Sequence, residues 1–137
     1  MPVRFLSQNI SFSLRNKATV KKLIRFIFQK EKKNPGEINF IFCDDAFLLS
    51  LNKKFLKHNT LTDILTFQYP TKNISGEIFI SIPRVKENAK KFKTDFKNEL
   101  NRVMIHGVLH LCSYKDKKAE EKKRIRRKED YYLGLIK

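Results

Sequence analysis

Apolar residues recur with a helical period over residues 16–30, where Val20, Leu23, Ile24, Ile27 and Phe28 fall at i, i+3, i+4, i+7 and i+8 and lysines fill the other face. This spacing predicts a surface helix packed by one stripe. Upstream, residues 2–15 alternate loosely between apolar and polar (Phe5, Ile10, Phe12, Leu14), which predicts one or two short strands. Asn34-Pro35-Gly36 predicts a turn. Ile38, Phe40 and Phe42 then alternate with Asn39 and Ile41, as in a strand that ends at Asp44. Asp44 or Asp45 suits the start of a following helix, because a carboxylate there accepts hydrogen bonds from the free N–H groups of the first turn. The predicted buried stripe of that helix is Phe47, Leu48, Leu51 and Phe55.

Two β-rich runs, residues 63–68 (Asp-Ile-Leu-Thr-Phe-Gln) and 77–81 (Glu-Ile-Phe-Ile-Ser), flank a loop of turn residues at 70–76 and predict a hairpin. Pro83 fits the first turn of a helix continuing through Val85, Ala89 and Phe92. Thr94 is the expected cap of a longer helix over 95–112, and a heavily charged helix is predicted over 119–133. On a helical wheel, Phe96, Leu100, Val103, Met104, Gly107, Val108 and Leu111 form one stripe, with His106 and His110 at its edge beside Glu99. A surface ion pair from Glu99 to Arg102 or Lys97 is the expected arrangement there, ahead of a hydrogen bond from Glu99 to a histidine ring nitrogen. No repeat, low-complexity tract or linker interrupts the chain. The order of elements predicts an α+β fold, one small mixed sheet of about four strands surrounded by about five helices. With 137 residues, one domain over 1–137 is expected.

Charge changes the picture more than hydropathy does. Thirty Lys and Arg stand against 14 Asp and Glu, a net charge of +16, which points to a polyanionic partner. No stretch approaches the roughly 20 apolar residues that cross a bilayer, and the first residues lack the apolar block of a signal peptide. A cytoplasmic protein with no membrane partner is expected. Cys43 and Cys112 are too few for a disulfide framework and are expected to be reduced and buried. The basic run Lys117, Lys118, Lys122, Lys123, Arg124, Arg126, Arg127 and Lys128 is diluted by Glu120, Glu121 and Glu129. The aromatic residues, mostly Phe at core-periodic positions, are expected in the core and not as a base-stacking surface.

The candidate chemistry lies in His106-Gly-Val-Leu-His110-Leu-Cys-Ser-Tyr-Lys-Asp116. Side chains four apart share one face of a helix, so both imidazoles can reach one cation. A carboxylate arriving from beyond the helix end completes three protein ligands, the catalytic type of site that leaves a position for water. Gly107 stands where a His-Glu-x-x-His metalloprotease carries its general base, which excludes that class. Its missing side chain is expected to let another backbone approach the helix. A His-x-x-x-His pair alone is a weak signal. Here two of the chain's three histidines and Asp116 fall within eleven residues.

The words around that pair are similar to those of the YbeY family of endoribonucleases and ribosomal RNA maturation factors. The family's hallmark is His-Gly-x-Leu-His-Leu-x-Gly-Tyr-Asp-His, and His106, Gly107, Leu109, His110, Leu111 and Tyr114 stand in register with it. Upstream, Leu51-Asn52, Phe55 and Thr62-Asp63-Ile64-Leu65-Thr66-Phe67 resemble the family's Leu-Asn, aromatic, Thr-Asp-Val-Leu-Ser-Phe segment. Gly76-Glu77-Ile78 with Ile80 and Ser81 resembles its Gly-Asp-Ile strand. Four positions depart from the pattern. Asp116 replaces the third histidine, Ser113 the motif glycine, Lys115 the motif aspartate, and Leu56 an arginine suited to clamping a phosphodiester.

The resemblance implies one Zn2+ per chain, held by His106, His110 and Asp116 on the penultimate helix and just beyond it, with His58 as the alternative third ligand. A carboxylate oxygen binds zinc at about the distance of an imidazole nitrogen, roughly 2.0–2.2 Å, so Asp116 can serve. The implied reaction is metal-assisted hydrolysis of single-stranded RNA in ribosomal RNA maturation, in particular at the 3′ end of small-subunit RNA. The expected partners are ribosomal RNA and the small ribosomal subunit, with a monomer favoured. Lys57 or His58 is the candidate replacement for the missing arginine, and no acid or base is assigned. The alternative class is a non-catalytic basic assembly factor that binds pre-ribosomal RNA around a structural or absent metal. Charge spread over the whole chain argues against a third class, a hydrolase of small substrates.

Overall fold

The apolar run from Ile38 to Cys43 forms an interior strand, because both of its faces are covered. The computed structural model describes residues 1–58 and 60–136. Its elements are β1 (Val3–Ser7), α1 (Lys17–Lys30), β2 (Pro35–Cys43), α2 (Asp45–Leu56), β3 (Ile64–Gln68), β4 (Ile74–Ser81), α3 (Ile82–Lys91), α4 (Phe96–Leu111) and α5 (Ala119–Gly134). The strands make one mixed sheet in the order β1-β2-β4-β3. β1, β2 and β4 are parallel, with Phe5 opposite Phe40 and Phe40 opposite Ile78, and β3 runs antiparallel to β4. This is the α+β architecture expected, with the histidine pair on the penultimate helix.

Alternation along the strands divides the core in two. Ile38, Phe40, Phe42, Ile78 and Ile80 face a large cluster filled from α1, α3, α4 and α5. Cys43, Leu65, Phe67 and Phe79 face the other way, onto Leu48, Phe47 and Leu51 of α2. α4 lies at the centre of the larger cluster, against α3, α5, α1 and the β3–β4 hairpin. It is therefore buried well beyond one stripe: Asn101, Ile105, Leu109 and Glu99 are all inside. Its two histidines hold one of its few open edges.

Several local expectations are corrected by tertiary contacts. Of the one or two strands expected before α1, one forms. Beyond it Phe12 packs edge-on against Phe42 and Phe96, so the apolar residues turn inward without a ladder. Pro35 and Gly36 belong to β2 at a register irregularity, where a Cβ on Gly36 would overlap Ser75 Oγ. Asp44 caps α2 as expected, accepting from the Phe47 N–H at 2.8 Å. Phe55, however, is 56% exposed, and Asn52 takes the inner position, donating to the Thr60 carbonyl. Asp95, not Thr94, caps α4, because its carboxylate accepts the Asn98 N–H at 2.7 Å while Thr94 Oγ1 accepts from the Asn98 side chain. Among the described residues no helix is long and apolar enough to cross a membrane.

Candidate metal centre

The last turn of α4 aims both imidazoles at one point. The helix ends in a Schellman arrangement in which Tyr114 N–H reaches the Leu109 carbonyl and Ser113 N–H the His110 carbonyl, both at 3.0 Å. This ending requires Ser113 to adopt φ 79°, the left-handed region that favours glycine. The reversal sends residues 114–116 back past the helix end and delivers the Asp116 carboxylate to the two rings. Tyr114 is tied down by donating to Glu31 Oε1 at 2.7 Å, and Tyr132 of α5 donates to the other oxygen of the same carboxylate at 2.5 Å.

Three ligand atoms converge there. His106 Nε2 and His110 Nε2 are 2.9 Å apart, and Asp116 Oδ2 lies 3.2 Å from each. Neighbouring ligands of a tetrahedral ion with bonds of roughly 2.0–2.1 Å are about 3.3 Å apart, so this triangle is close to the required size. The side chains are 21%, 25% and 38% exposed, in the order His106, His110, Asp116, which leaves the centre open to solvent on one side. His58, exposed beyond the end of α2, is not part of this cluster.

The ring of His106 is held from behind. Its Nδ1 donates to Glu129 Oε2 at 2.5 Å, so the neutral ring presents Nε2 as a lone pair toward the cluster. The other oxygen of Glu129 accepts from Arg102 Nη1 at 3.1 Å, and Arg102 Nη2 donates to Asp130 at 2.7 Å. Burial alone would lower the His106 imidazolium pKa. The hydrogen bond and charge of Glu129, with Asp116 and Asp63, outweigh it, so without a cation the ring holds its proton above the ordinary range. In the sequence Glu129 counts only among the carboxylates that dilute the basic run of α5, although a signal for an inward role is there. It falls at i+4 in the stripe Ile125, Glu129, Tyr132, Leu133, a charge at a core position.

Beside the cluster runs a cleft of about 340 Å³, whose lining includes His106, Asp116, Asp63, Glu99, Glu129, Arg102, Lys122, Arg126 and Phe92. Glu99 is only 5% exposed, which overturns the surface ion pair expected for it, and Arg102 is taken by Glu129 and Asp130 instead. Burial pushes the Glu99 carboxyl up, reinforced by Asp63 and Glu129 and opposed by Arg102 and Arg126. Burial likewise pushes Asp63 up, against its own backbone N–H, His106 and Asn88. Lys57 and His58 are exposed at the end of α2, outside the lining of this cleft, and so is Leu56. Nor does a backbone close on Gly107: the methyl groups of Ile64 and Ile78 occupy the space of its missing side chain. This is how the helix bearing the histidines packs on the β3–β4 hairpin.

Two imidazoles and a carboxylate at bonding separation, open to water beside a cleft with cationic side chains, define an α+β protein with a candidate metal centre of the hydrolytic kind. The comparisons narrow that class. The family profile described as Endoribonuclease YbeY matches residues 3–137, and the chain belongs to that family. It is 48% identical over 128 residues to a protein of Flavobacterium psychrophilum named Endoribonuclease YbeY, covering 93% of this chain and 91% of that one. A protein of the same name from Karelsulcia muelleri is 50% identical over 127 residues, covering 92% and 90%. The fold is similar to the solution structure of a Thermotoga maritima protein, with TM-score 0.68 and 28% identity over 98% of this chain and 88% of that one.

Proposed function

We propose that this chain is a metal-dependent endoribonuclease acting on single-stranded RNA in ribosomal RNA maturation, in particular at the 3′ end of small-subunit RNA. Residues 1–137 act as one domain, and Zn2+ is held by His106, His110 and Asp116. The single observation that carries the metal reading is the 2.9–3.2 Å triangle of ligand atoms at the open end of α4. Family membership and the +16 charge carry the RNA reading. When bound, the cation would supply a more acidic water and neutralise charge growing on phosphoryl oxygens.

The chain's own residues do the positioning. Glu129 fixes the tautomer and angle of His106, and Arg102 fixes Glu129. Lys122 and Arg126 bring positive charge to the rim where a phosphate would enter. In the cell the surroundings are the cytoplasm and the partner is the small ribosomal subunit, met through RNA phosphates by a surface rich in lysine.

Metal content of protein purified without chelators tests this, with Asp116→Ala and the double variant His106→Ala, His110→Ala alongside. Cleavage of single-stranded and duplex RNA of the same sequence is measured on the same samples. Near-stoichiometric zinc lost in both variants, together with cleavage confined to single strands, is the expected result. Folded wild-type protein that takes up no metal and cuts nothing yet retains RNA at moderate salt would establish the second reading, a non-catalytic assembly factor. One observation favours that reading: Leu56 replaces the family's arginine, and neither Lys57 nor His58 reaches the cleft.

A further inference from the structure

Phe92 is out of place for an apolar residue. Val85 and Ala89 of α3 are buried and Phe92 continues their stripe, yet α3 stops at Lys91 and Phe92 is 59% exposed. Among the described residues no aromatic ring packs on it. Lys91 Nζ lies 5.8 Å from the ring centroid. The ring lines the same cleft as His106 and Asp116.

Two cations of α5 line that cleft as well. Lys122 is exposed and, among the described residues, has no carboxylate within ion-pair distance. Arg126 is 61% exposed and only at the margin of pairing, 3.9 Å from Glu129 and 4.0 Å from Asp130. An exposed aromatic face beside lightly held cations is the arrangement by which proteins hold unpaired nucleotides, the ring stacking on a base and the cations meeting the backbone. A duplex keeps its bases stacked on one another and cannot offer one to such a ring.

We propose that Phe92, Lys122 and Arg126 form a nucleotide subsite next to the metal centre. Phe92 stacks on one base of single-stranded RNA, and the two α5 cations hold the adjoining phosphates. The subsite deepens the endoribonuclease reading and rests on it. It explains a preference for single strands through a contact that no paired base can make.

The chain has no tryptophan, so Phe92→Trp places a lone indole reporter at the subsite. The test mixes this variant with a short single-stranded RNA or with an abasic ribose-phosphate oligomer of equal length. Stopped-flow emission is read before cleavage, and anisotropy reports binding. The expected result is strong quenching by the RNA and none by the abasic chain. Phe92→Ala should weaken RNA binding by about 5- to 150-fold, leave abasic binding unchanged and melt like wild type, while Phe92→Tyr restores RNA binding. Lys122→Ala and Arg126→Ala should each flatten the salt dependence for both oligomers. Equal binding of RNA and abasic oligomer by wild type, or unquenched indole in a formed complex, overturns the subsite and leaves the RNA reading standing. Failure of wild type to bind either oligomer overturns both.

Discussion

Replacing Glu129 by Gln removes one charge and almost no volume, which makes it a sharp probe of the candidate metal centre. In the wild type both carboxylate oxygens are used, one by His106 Nδ1 at 2.5 Å and one by Arg102 at 3.1 Å. An amide can keep only one of these bonds. If its oxygen stays on Arg102, its NH2 faces His106 Nδ1, and that ring must move its proton to Nε2, the atom that faces His110 and Asp116. The ligand lone pair is then lost unless the ring turns. Partners of this kind are worth about 10–100-fold in metal affinity, or roughly 1.4–2.7 kcal/mol. The assay is competition for zinc against a chelator of known affinity, with Asp130→Asn as control, since Asp130 touches Arg102 but neither histidine. We expect a 10–100-fold loss for Glu129→Gln and near wild-type affinity for Asp130→Asn. Equal affinities in all three proteins would refute the argument that Glu129 sets the tautomer.

Three further outcomes follow from the packing. Ser113→Gly should stabilise the protein by about 0.5–1 kcal/mol in chemical denaturation, because relief of the left-handed conformation outweighs glycine's greater freedom in the unfolded chain. Gly107→Ala should lower stability by about 1–2 kcal/mol despite alanine's better helix propensity, since its Cβ would sit 2.9 Å from Ile64 Cδ1 and from the stiff Ile78 Cγ2; a melting temperature at or above wild type would contradict this. At Glu31, burial alone would raise the pKa, but the hydroxyls of Tyr132 and Tyr114 and the ammonium of Lys128 outweigh it and hold the carboxyl below its ordinary 4.5. Its stabilisation is therefore present above about pH 4.5 and lost as pH falls through the lower, folded value. Glu31→Gln should melt below wild type at neutral pH, with a gap that narrows in acid.

The parts of this fold legible in sequence were those set by local period. The stripe of α1, the start of α2 at Asp44 and the pairing of residues 63–68 with 77–81 depend on residues close in the chain. So does the histidine pair, whose spacing within one helix fixes its geometry. Phe55 and Phe92 failed the same rule, because periodicity reports which side of a helix is apolar and not whether anything lies opposite. Each sits at or beside the end of its helix and stays more than half exposed, Phe55 meeting only the edge of the Phe67 ring. The parallel order β1-β2-β4 and the bond between His106 and Glu129, 23 residues apart, depend on how elements meet, which no local pattern encodes. Glu129 shows what such a reading can still recover: a charge inside an apolar stripe asks for a partner, and the partner is the His106 ring.

The Asp116 exchange bears on how RNA and cation act together. Four of the groups lining the cleft are acidic (Asp63, Glu99, Asp116 and Glu129) and three are basic (Arg102, Lys122 and Arg126), although the whole protein carries +16. Glu99 and Glu129 are buried at its floor while Lys122 and Arg126 are exposed at its rim. The rim attracts a phosphate and the floor repels it. A histidine in place of Asp116 would make the cleft one charge less negative, so on the metal reading proposed above Asp116 raises the cleft's reliance on a divalent cation to reverse the local field. The two affinities must then be coupled, and coupling of binding free energies is reciprocal. RNA should bind more tightly at saturating zinc than with zinc chelated, and zinc more tightly in the presence of RNA, by the same factor. Asp116→His should shrink that factor by raising RNA affinity mainly in the metal-free protein. Paired titrations of each ligand with and without the other measure the factor from both sides. Equal RNA affinity with and without zinc would mean that the rim cations alone decide where the phosphate settles.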